Sequence, residues 1–121
     1  MDRRVRIIIA LMETEFHREI LLGEMARLVN LSPSRFHHLF KAETGTPPYQ
    51  YLKALRMERA RELLETTFLS VKQVMASAGL NNKSHFVKDF KKAYGMTPTL
   101  YRRALGAGRE PENRAVSSDT K

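Results

Sequence analysis

The 121-residue sequence contains no cysteine and no tryptophan, and no apolar run is long enough to cross a bilayer. Without cysteine the chain can form no disulfide, no thiolate nucleophile and no Cys-ligated zinc site. Acidic residues are also few, since 13 Asp and Glu stand against 21 Lys and Arg, for a formal net charge of +8. An excess of this size favours a polyanionic partner, although ribosomal and membrane-surface proteins share it.

The excess of positive over negative charge lies entirely within the first 103 residues. After Ala104 three basic residues balance three acidic ones: Arg109, Arg114 and Lys121 against Glu110, Glu112 and Asp119. This last segment lacks apolar periodicity, which is typical of a disordered tail. No secretory leader is recognisable, because acidic residues follow the N-terminal arginines closely and no small-residue cleavage site appears. We therefore expect a cytoplasmic protein with no membrane partner.

Helix signals dominate the sequence, and strand signals are nearly absent. Apolar spacing, capping residues and stopping glycines predict about seven helices: one with an apolar stripe from Val5 to Phe16, then 22–29, 33–44, 48–66, 71–78, 83–94 and 98–103. The predicted fold is all-α, with two helix-turn-helix subdomains joined by a long central linker helix. The expected domains are 1–47 and 67–103 for the two subdomains, 48–66 for the linker helix and 104–121 for a disordered tail.

This helical layout occurs twice in the chain. Residues fifty apart match in six pairs: Phe36 with Phe86, Phe40 with Phe90, Lys41 with Lys91, Gly45 with Gly95, Pro48 with Pro98 and Tyr51 with Tyr101. Upstream the spacing is forty-nine, pairing Asn30 with Gly79, because one turn is a residue shorter. Each copy reads as short helix, tight turn and second helix, so the phenylalanines should face the first helix of their unit. A motif found twice is far more specific than one found once.

The opposite face of each second helix carries the candidate DNA contacts. In the first copy these are Ser34, His37, His38 and Lys41, and fifty residues later Ser84, Val87, Lys88 and Lys91. Serine and lysine can reach phosphates or base acceptors, histidine can donate to guanine, and valine can pack on a thymine methyl. Arg35, Asn82 and Lys83 flank these faces at the helix N-termini, where the helix dipole favours a phosphate. Asn82 is expected to serve first as a helix cap.

The linker helix has a suitable length for holding two such helices on DNA. About nineteen residues span roughly 28 Å at about 1.5 Å per residue. Successive major-groove faces on one side of B-DNA are roughly 34 Å apart. Two recognition helices could therefore enter adjacent grooves without dimerisation.

The second unit resembles the signature sequence of the C-terminal DNA-binding domain in the AraC/XylS family of bacterial regulators. The matching segments are Ala78-Gly79-Leu80, Ser84-His85-Phe86, Phe90-Lys91-Lys92, Gly95-Met96-Thr97-Pro98 and Tyr101-Arg102, with Arg56-Met57, Ala60 and Leu63-Leu64 in the linker helix. Leu80, Met75 and Ser34 depart from the family pattern, which usually has an aromatic, an alanine and a large residue there. The resemblance extends over about Ile8 to Arg103.

The resemblance implies a transcriptional regulator, here expected to be an activator in the bacterial nucleoid. Its implied partners are double-stranded DNA, RNA polymerase and an N-terminal effector-binding or dimerisation domain, which most family members carry. The chain is then either a stand-alone member or the C-terminal domain of a longer protein.

Two other functions compete with this interpretation. An enzyme has no support, because the sequence offers no glycine-rich phosphate loop, no Ser/His/Asp arrangement and no paired carboxylates. Neighbouring His37 and His38 point about 100° apart on a helix and make a poor chelate, so neither a metal nor a cofactor is expected. The alternative is a basic helical RNA-binding or scaffold module. RNA modules more often expose aromatics that stack on bases, whereas the aromatics here are predicted to face inward.

Overall fold

The computed structural model describes residues 1–109 and contains seven helices and no strand over that range. The helices are α1 (Arg3–Glu15), α2 (Leu22–Leu28), α3 (Pro33–Thr44), α4 (Pro48–Thr66), α5 (Val71–Ser77), α6 (Lys83–Tyr94) and α7 (Pro98–Arg109). The all-α prediction is confirmed. None of these helices combines the length and apolar character that a membrane crossing requires.

The end of α7 corrects one prediction. The sequence placed this end at Arg103 and assigned 104–121 to a disordered tail, but α7 continues to Arg109. Ala104, Leu105 and Ala107 are good helix formers, and Gly106 and Gly108 each cost only about 1 kcal/mol in a helix interior. The remainder of the predicted tail, 110–121, lies outside the described residues.

Short polar side chains fix several helix N-termini. Ser32 and Asn82 accept hydrogen bonds from the backbone N–H groups three residues ahead, at 3.2 and 2.9 Å. Ser70 and Gln73 form a reciprocal capping box at the start of α5. These caps satisfy N–H groups that have no partner within the helix, so α3, α5 and α6 begin where the sequence predicted.

The turns between the paired helices confirm the repeat. Asn30 and Gly79 both adopt the left-handed conformation, with φ of 59° and 82°. The residue after each one donates its N–H to a carbonyl five residues back, Leu31 to Ala26 at 2.9 Å and Leu80 to Met75 at 2.8 Å. The forty-nine-residue spacing therefore pairs two turns of the same geometry.

The described chain divides into two compact units. The first contains residues 1–59 and 77–79, and the second contains residues 60–76 and the chain from Leu80 onward. The division falls inside α4, so one helix supplies residues to both units.

Each unit has a core built around a phenylalanine pair. Phe36 and Phe40 are fully buried with ring centroids 5.7 Å apart, and Phe86 and Phe90 repeat both the burial and the 5.7 Å distance. Tyr51 and Tyr101 meet Phe40 and Phe90 edge-on, each at 5.4 Å. The inward face predicted for the phenylalanines is confirmed. The predicted core partners on the short helices are also buried, namely Met25, Ala26, Val29, Val74, Met75 and Ala78.

Candidate nucleic-acid interface

The eleven residues predicted to contact DNA form two groups, one on each second helix. Nine are exposed: Ser34, Arg35, His38, Lys41, Asn82, Lys83, Ser84, Lys88 and Lys91. His37 and Val87 are half-buried, and they occupy equivalent positions fifty residues apart. The structure thus brings five residues together along α3 and six along α6 and its cap.

The two helices present the same exposed face. From Ser32 to Gln50 every residue is buried, half-buried or exposed in the same way as the residue fifty positions later. Two copies that bury and expose the same positions can dock on a partner in the same way. Their exposed side chains differ, since His38 is replaced by Lys88 and half-buried His37 by Val87.

The charge on the two helices is unequal. In α3 Arg35 and Lys41 oppose Glu43, for a net +1. In α6 four lysines oppose Asp89, for a net +3. The second helix is therefore the more attractive of the two to a polyanion.

The helix caps limit what the N-terminal residues can do. The side-chain oxygen of Asn82 accepts the His85 N–H at 2.9 Å, so only its amide nitrogen remains to meet a phosphate. This agrees with its expected first role as a cap. Ser34 comes after the capping Ser32 and is exposed at the first turn of α3.

The histidines do not assemble a metal site. The His37 and His38 rings lie 6.1 Å apart and nearly perpendicular, at 85°. Within residues 1–109 no group of three or more His, Asp or Glu side chains is arranged to hold a metal ion.

Two arginines that support the units were not assigned a role from sequence. Buried Arg56 donates to the carbonyl oxygens of Phe16 at 2.8 Å and Arg18 at 2.7 Å, which fixes the loop after α1. Burial lowers the pKa of this guanidinium. The signal available in the sequence was a basic residue on an otherwise apolar face of α4, but surface arginines share that signal.

Arg102 plays the matching role in the second unit. Its guanidinium donates to the carbonyl oxygens of Leu63, Leu64, Thr67 and Leu69 at the end of α4 and in the loop that follows. Desolvation by the surrounding protein lowers its pKa. Because the last carbonyls of a helix have no partner within it, Arg102 acts as a side-chain cap for α4.

Comparison with known proteins identifies relatives over most of the described chain. Residues 25–104 match a family described as a helix-turn-helix domain. The transcriptional activator NphR from Rhodococcus is 40% identical over 85 residues, which are 70% of this chain and 25% of that protein. The probable transcriptional regulator LumQ from Photobacterium leiognathi is 32% identical over 89 residues, 74% of this chain and 36% of that protein. The chain spans about a third or less of the length of most of the curated relatives it matches.

Solved structures of similar fold match most of this chain. The DNA-binding domain of AdpA, solved in complex with a target DNA, has a TM-score of 0.83 at 27% identity and covers 89% of this chain and 97% of that one. The C-terminal domain of AraT, a response regulator from Geobacillus stearothermophilus, has a TM-score of 0.81 at 27% identity and covers 96% and 98%. With the family match extending over residues 25–104, the chain belongs to the AraC-type helix-turn-helix family.

Proposed function

We propose that this chain is a sequence-specific regulator of transcription that binds double-stranded DNA by placing α3 and α6 in successive major grooves. The observation that carries the proposal is the duplicated face, which has the same burial pattern in both units but different side chains at two of its four paired contact positions, His37 with Val87 and His38 with Lys88. The related AdpA domain was solved in complex with a target DNA, which supports DNA as the partner. Two helices that dock in the same way but carry different base-contacting side chains fit a DNA site with two dissimilar halves.

The two helices have different roles in this proposal. Lys91 on α6 anchors the protein on a phosphate, Lys88 donates to a base acceptor, and Val87 packs on a thymine methyl. His37 and His38 on α3 donate to base acceptors and discriminate between sequences. Arg35, Lys83 and Asn82 contact phosphates at the helix N-termini, and Ser34, Lys41 and Ser84 complete the two faces.

The proposal extends to the organisation of the regulator. Segments 1–47 and 67–103 are the two DNA-binding subdomains and 48–66 connects them. The relatives are longer and include proteins named as activators, NphR and RhaS, which supports activation through RNA polymerase and an additional effector-binding or dimerisation domain. We place the protein in the cytoplasm, at the nucleoid, with no catalytic role.

Selection of bound sites from random duplex DNA, followed by footprinting, tests the proposal. A protected region of roughly two helical turns with dissimilar halves is expected. Failure to bind duplex DNA at low salt would overturn it. Preference for single-stranded or hairpin RNA over the selected duplex would favour the RNA-binding alternative instead.

Single substitutions then separate base contacts from phosphate contacts. His38→Ala and Lys88→Ala should weaken the selected site more than random DNA, by about 1–3 kcal/mol for a base contact. Arg6→Ala, on the exposed part of α1, is the charge-matched control and should change both affinities little. Equal losses on both DNAs would assign His38 or Lys88 to the phosphate backbone.

A further inference from the structure

The last turn of α6 is held by a charged and aromatic network that involves α4 and α7. Arg61 and Glu65, one turn apart on α4, form an ion pair of 2.8 Å between Nη1 and Oε2. The hydroxyl of Tyr101 on α7 donates to the same Glu65 oxygen. The guanidinium of Arg61 lies over the ring of Tyr94, the last residue of α6, with Cζ 5.7 Å from its centroid.

This network lies next to the core of the second unit. The Tyr94 ring is 4.7 Å from Phe90 and 6.4 Å from Tyr101, measured between centroids. The side chains of Arg61 and Glu65 are 29% and 27% exposed, so water screens the pair only in part. Charge-assisted hydrogen bonds and cation–π contacts are stronger in such surroundings than at a free surface.

The first unit can be aligned with the second to ask whether it has the same network. Buried Val5, Ile8 and Met12 on α1 have the same spacing as buried Met57, Ala60 and Leu64 on α4, fifty-two residues later. By that alignment Ile9 corresponds to Arg61 and Glu13 to Glu65. By the fifty-residue repeat Thr44 corresponds to Tyr94 and Tyr51 to Tyr101.

Two of these four residue types are kept, Glu13 and Tyr51, whereas Ile9 and Thr44 stand in place of Arg61 and Tyr94. Ile9 packs against the apolar core of its unit, and Glu13 is exposed. The Thr44 hydroxyl donates to the Phe40 carbonyl at 2.9 Å and lies 2.9 Å from that of Thr46, within its own turn. Among the described residues the ion-pair network therefore supports α6 and has no counterpart at α3.

We propose that Glu65 is a positioning residue for the recognition helix α6, acting through Arg61, Tyr94 and Tyr101. By fixing the last turn of α6 it sets the angle at which Val87, Lys88 and Lys91 meet the DNA. Functional side chains need support of this kind, because a small misplacement weakens the contacts they make. This inference rests on the proposed DNA-binding function.

Two nearly isosteric variants test the role of Glu65. Tyr101→Phe removes the hydroxyl but keeps the ring against Phe90, and Glu65→Gln removes the charge. Matched controls in the first unit are Tyr51→Phe and Glu13→Gln. Affinity is measured at a temperature where all proteins are folded, for the selected duplex and for duplexes with base pairs changed in either half.

Both test variants should reduce discrimination against changes in the half read by α6 by at least about fivefold, the lower end of what a base contact supplies. Discrimination in the other half should stay unchanged, and both controls should match the wild type. Hydrogen exchange at the last turn of α6 should be faster in the test variants and unchanged at α3.

Three results would overturn the inference. Unchanged discrimination with faster exchange would make the network purely stabilising. Equal losses in both halves, or unchanged exchange, would exclude positioning of α6. Absence of duplex binding by the wild-type protein would overturn the proposed function itself. The hydrogen-exchange measurement needs no DNA, so it still reports whether Glu65 holds the last turn of α6.

Discussion

Gly79 shows how closely a single residue is constrained in this fold. It adopts φ of +82°, and a Cβ built on it would lie 2.3 Å from the Phe16 carbonyl oxygen and 3.1 Å from Nε of Arg56. Gly95 has a similar φ of +86°, yet a Cβ there would meet nothing within 4 Å. The two positions therefore separate the effect of backbone conformation from that of close packing.

Gly79→Ala should destabilise the protein more than Gly95→Ala. The left-handed conformation costs a non-glycine residue about 1–2 kcal/mol, so both variants should lose this much in the free energy of unfolding. The clash with a backbone oxygen adds about 1–3 kcal/mol at position 79 alone. Urea unfolding monitored by circular dichroism measures the difference, and equal losses would mean that the loop after α1 moves away freely.

Arg102→Lys should also destabilise the protein, because an ammonium group cannot reach the four carbonyls that the guanidinium joins. The expected loss in the free energy of unfolding is about 1–3 kcal/mol, because part-buried carbonyls lose hydrogen bonds from a charged donor. Arg103→Lys, at the neighbouring exposed position, is the control and should stay within about 0.5 kcal/mol. A neutral Arg102→Lys would show that water replaces the lost contacts.

At the scale of helices the two units use the same packing geometry. The distances between Phe36 and Phe40 and between Phe86 and Phe90 are both 5.7 Å. Each second phenylalanine is fully buried and meets a tyrosine edge-on at 5.4 Å. The energetic contribution of the two rings should therefore be alike.

Phe40→Ala and Phe90→Ala should each lower the free energy of unfolding by about 3–5 kcal/mol, as other buried aromatic truncations do. Thermal and chemical unfolding of the two variants provides the comparison. A loss under about 1 kcal/mol at either position would contradict the inward orientation, because that value is typical of surface changes.

The N-terminus of α1 should respond to acid. Asp2 caps this helix, and its hydrogen bonds with the side chain and the backbone N–H of Arg4 lower its pKa to about 2. Its pKa in the unfolded chain is about 3.9, so the stabilisation is complete above about pH 4 and is lost as the pH falls through about 2. Helix content followed by circular dichroism should decrease over this range less steeply in Asp2→Asn than in the wild type. Identical curves would show that other carboxylates dominate.

The helix boundaries were largely predictable because the sequence punctuates them. The start of α3 is marked by the cap Ser32 and by Pro33, and the ends of α3 and α6 are marked by Gly45 and Gly95. These signals are local and need no tertiary structure. The end of α7 was not predictable in this way, since the segment after Ala104 lacks the apolar periodicity that predicts a helix. Burial of Arg56 was also missed, because its partners are carbonyls about forty residues earlier in the chain.

The candidate site was predictable only as a surface. Helical period and repeat predicted which side chains face away from the phenylalanines, and nine of the eleven are exposed in the structure. Which of them touch bases stays a prediction, because exposure alone does not distinguish a base contact from a phosphate contact or from simple solvation. Specificity depends on the distance between each side chain and the bases of the DNA, and the sequence does not contain that distance.

For the whole molecule, the net charge of +8 should dominate the salt dependence of binding. The logarithm of the binding constant should fall linearly with the logarithm of salt concentration, with a slope of about −0.9 per phosphate neutralised. Lys91→Ala should make this slope shallower by about one and weaken all sequences alike. Fluorescence anisotropy over about 50–200 mM salt measures it. An unchanged slope would remove Lys91 from the phosphate contacts.

The division of the two units inside α4 constrains how such regulators could exchange binding specificities. No loop separates the units at that point, so a recombination event that swaps one recognition helix between relatives must cross over within a continuous helix. A slip of one residue there would turn the apolar face of the second half by about 100° relative to the first. Chimeras should therefore succeed only when joined in register, with the spacing from Met57 through Ala60 to Leu64 preserved.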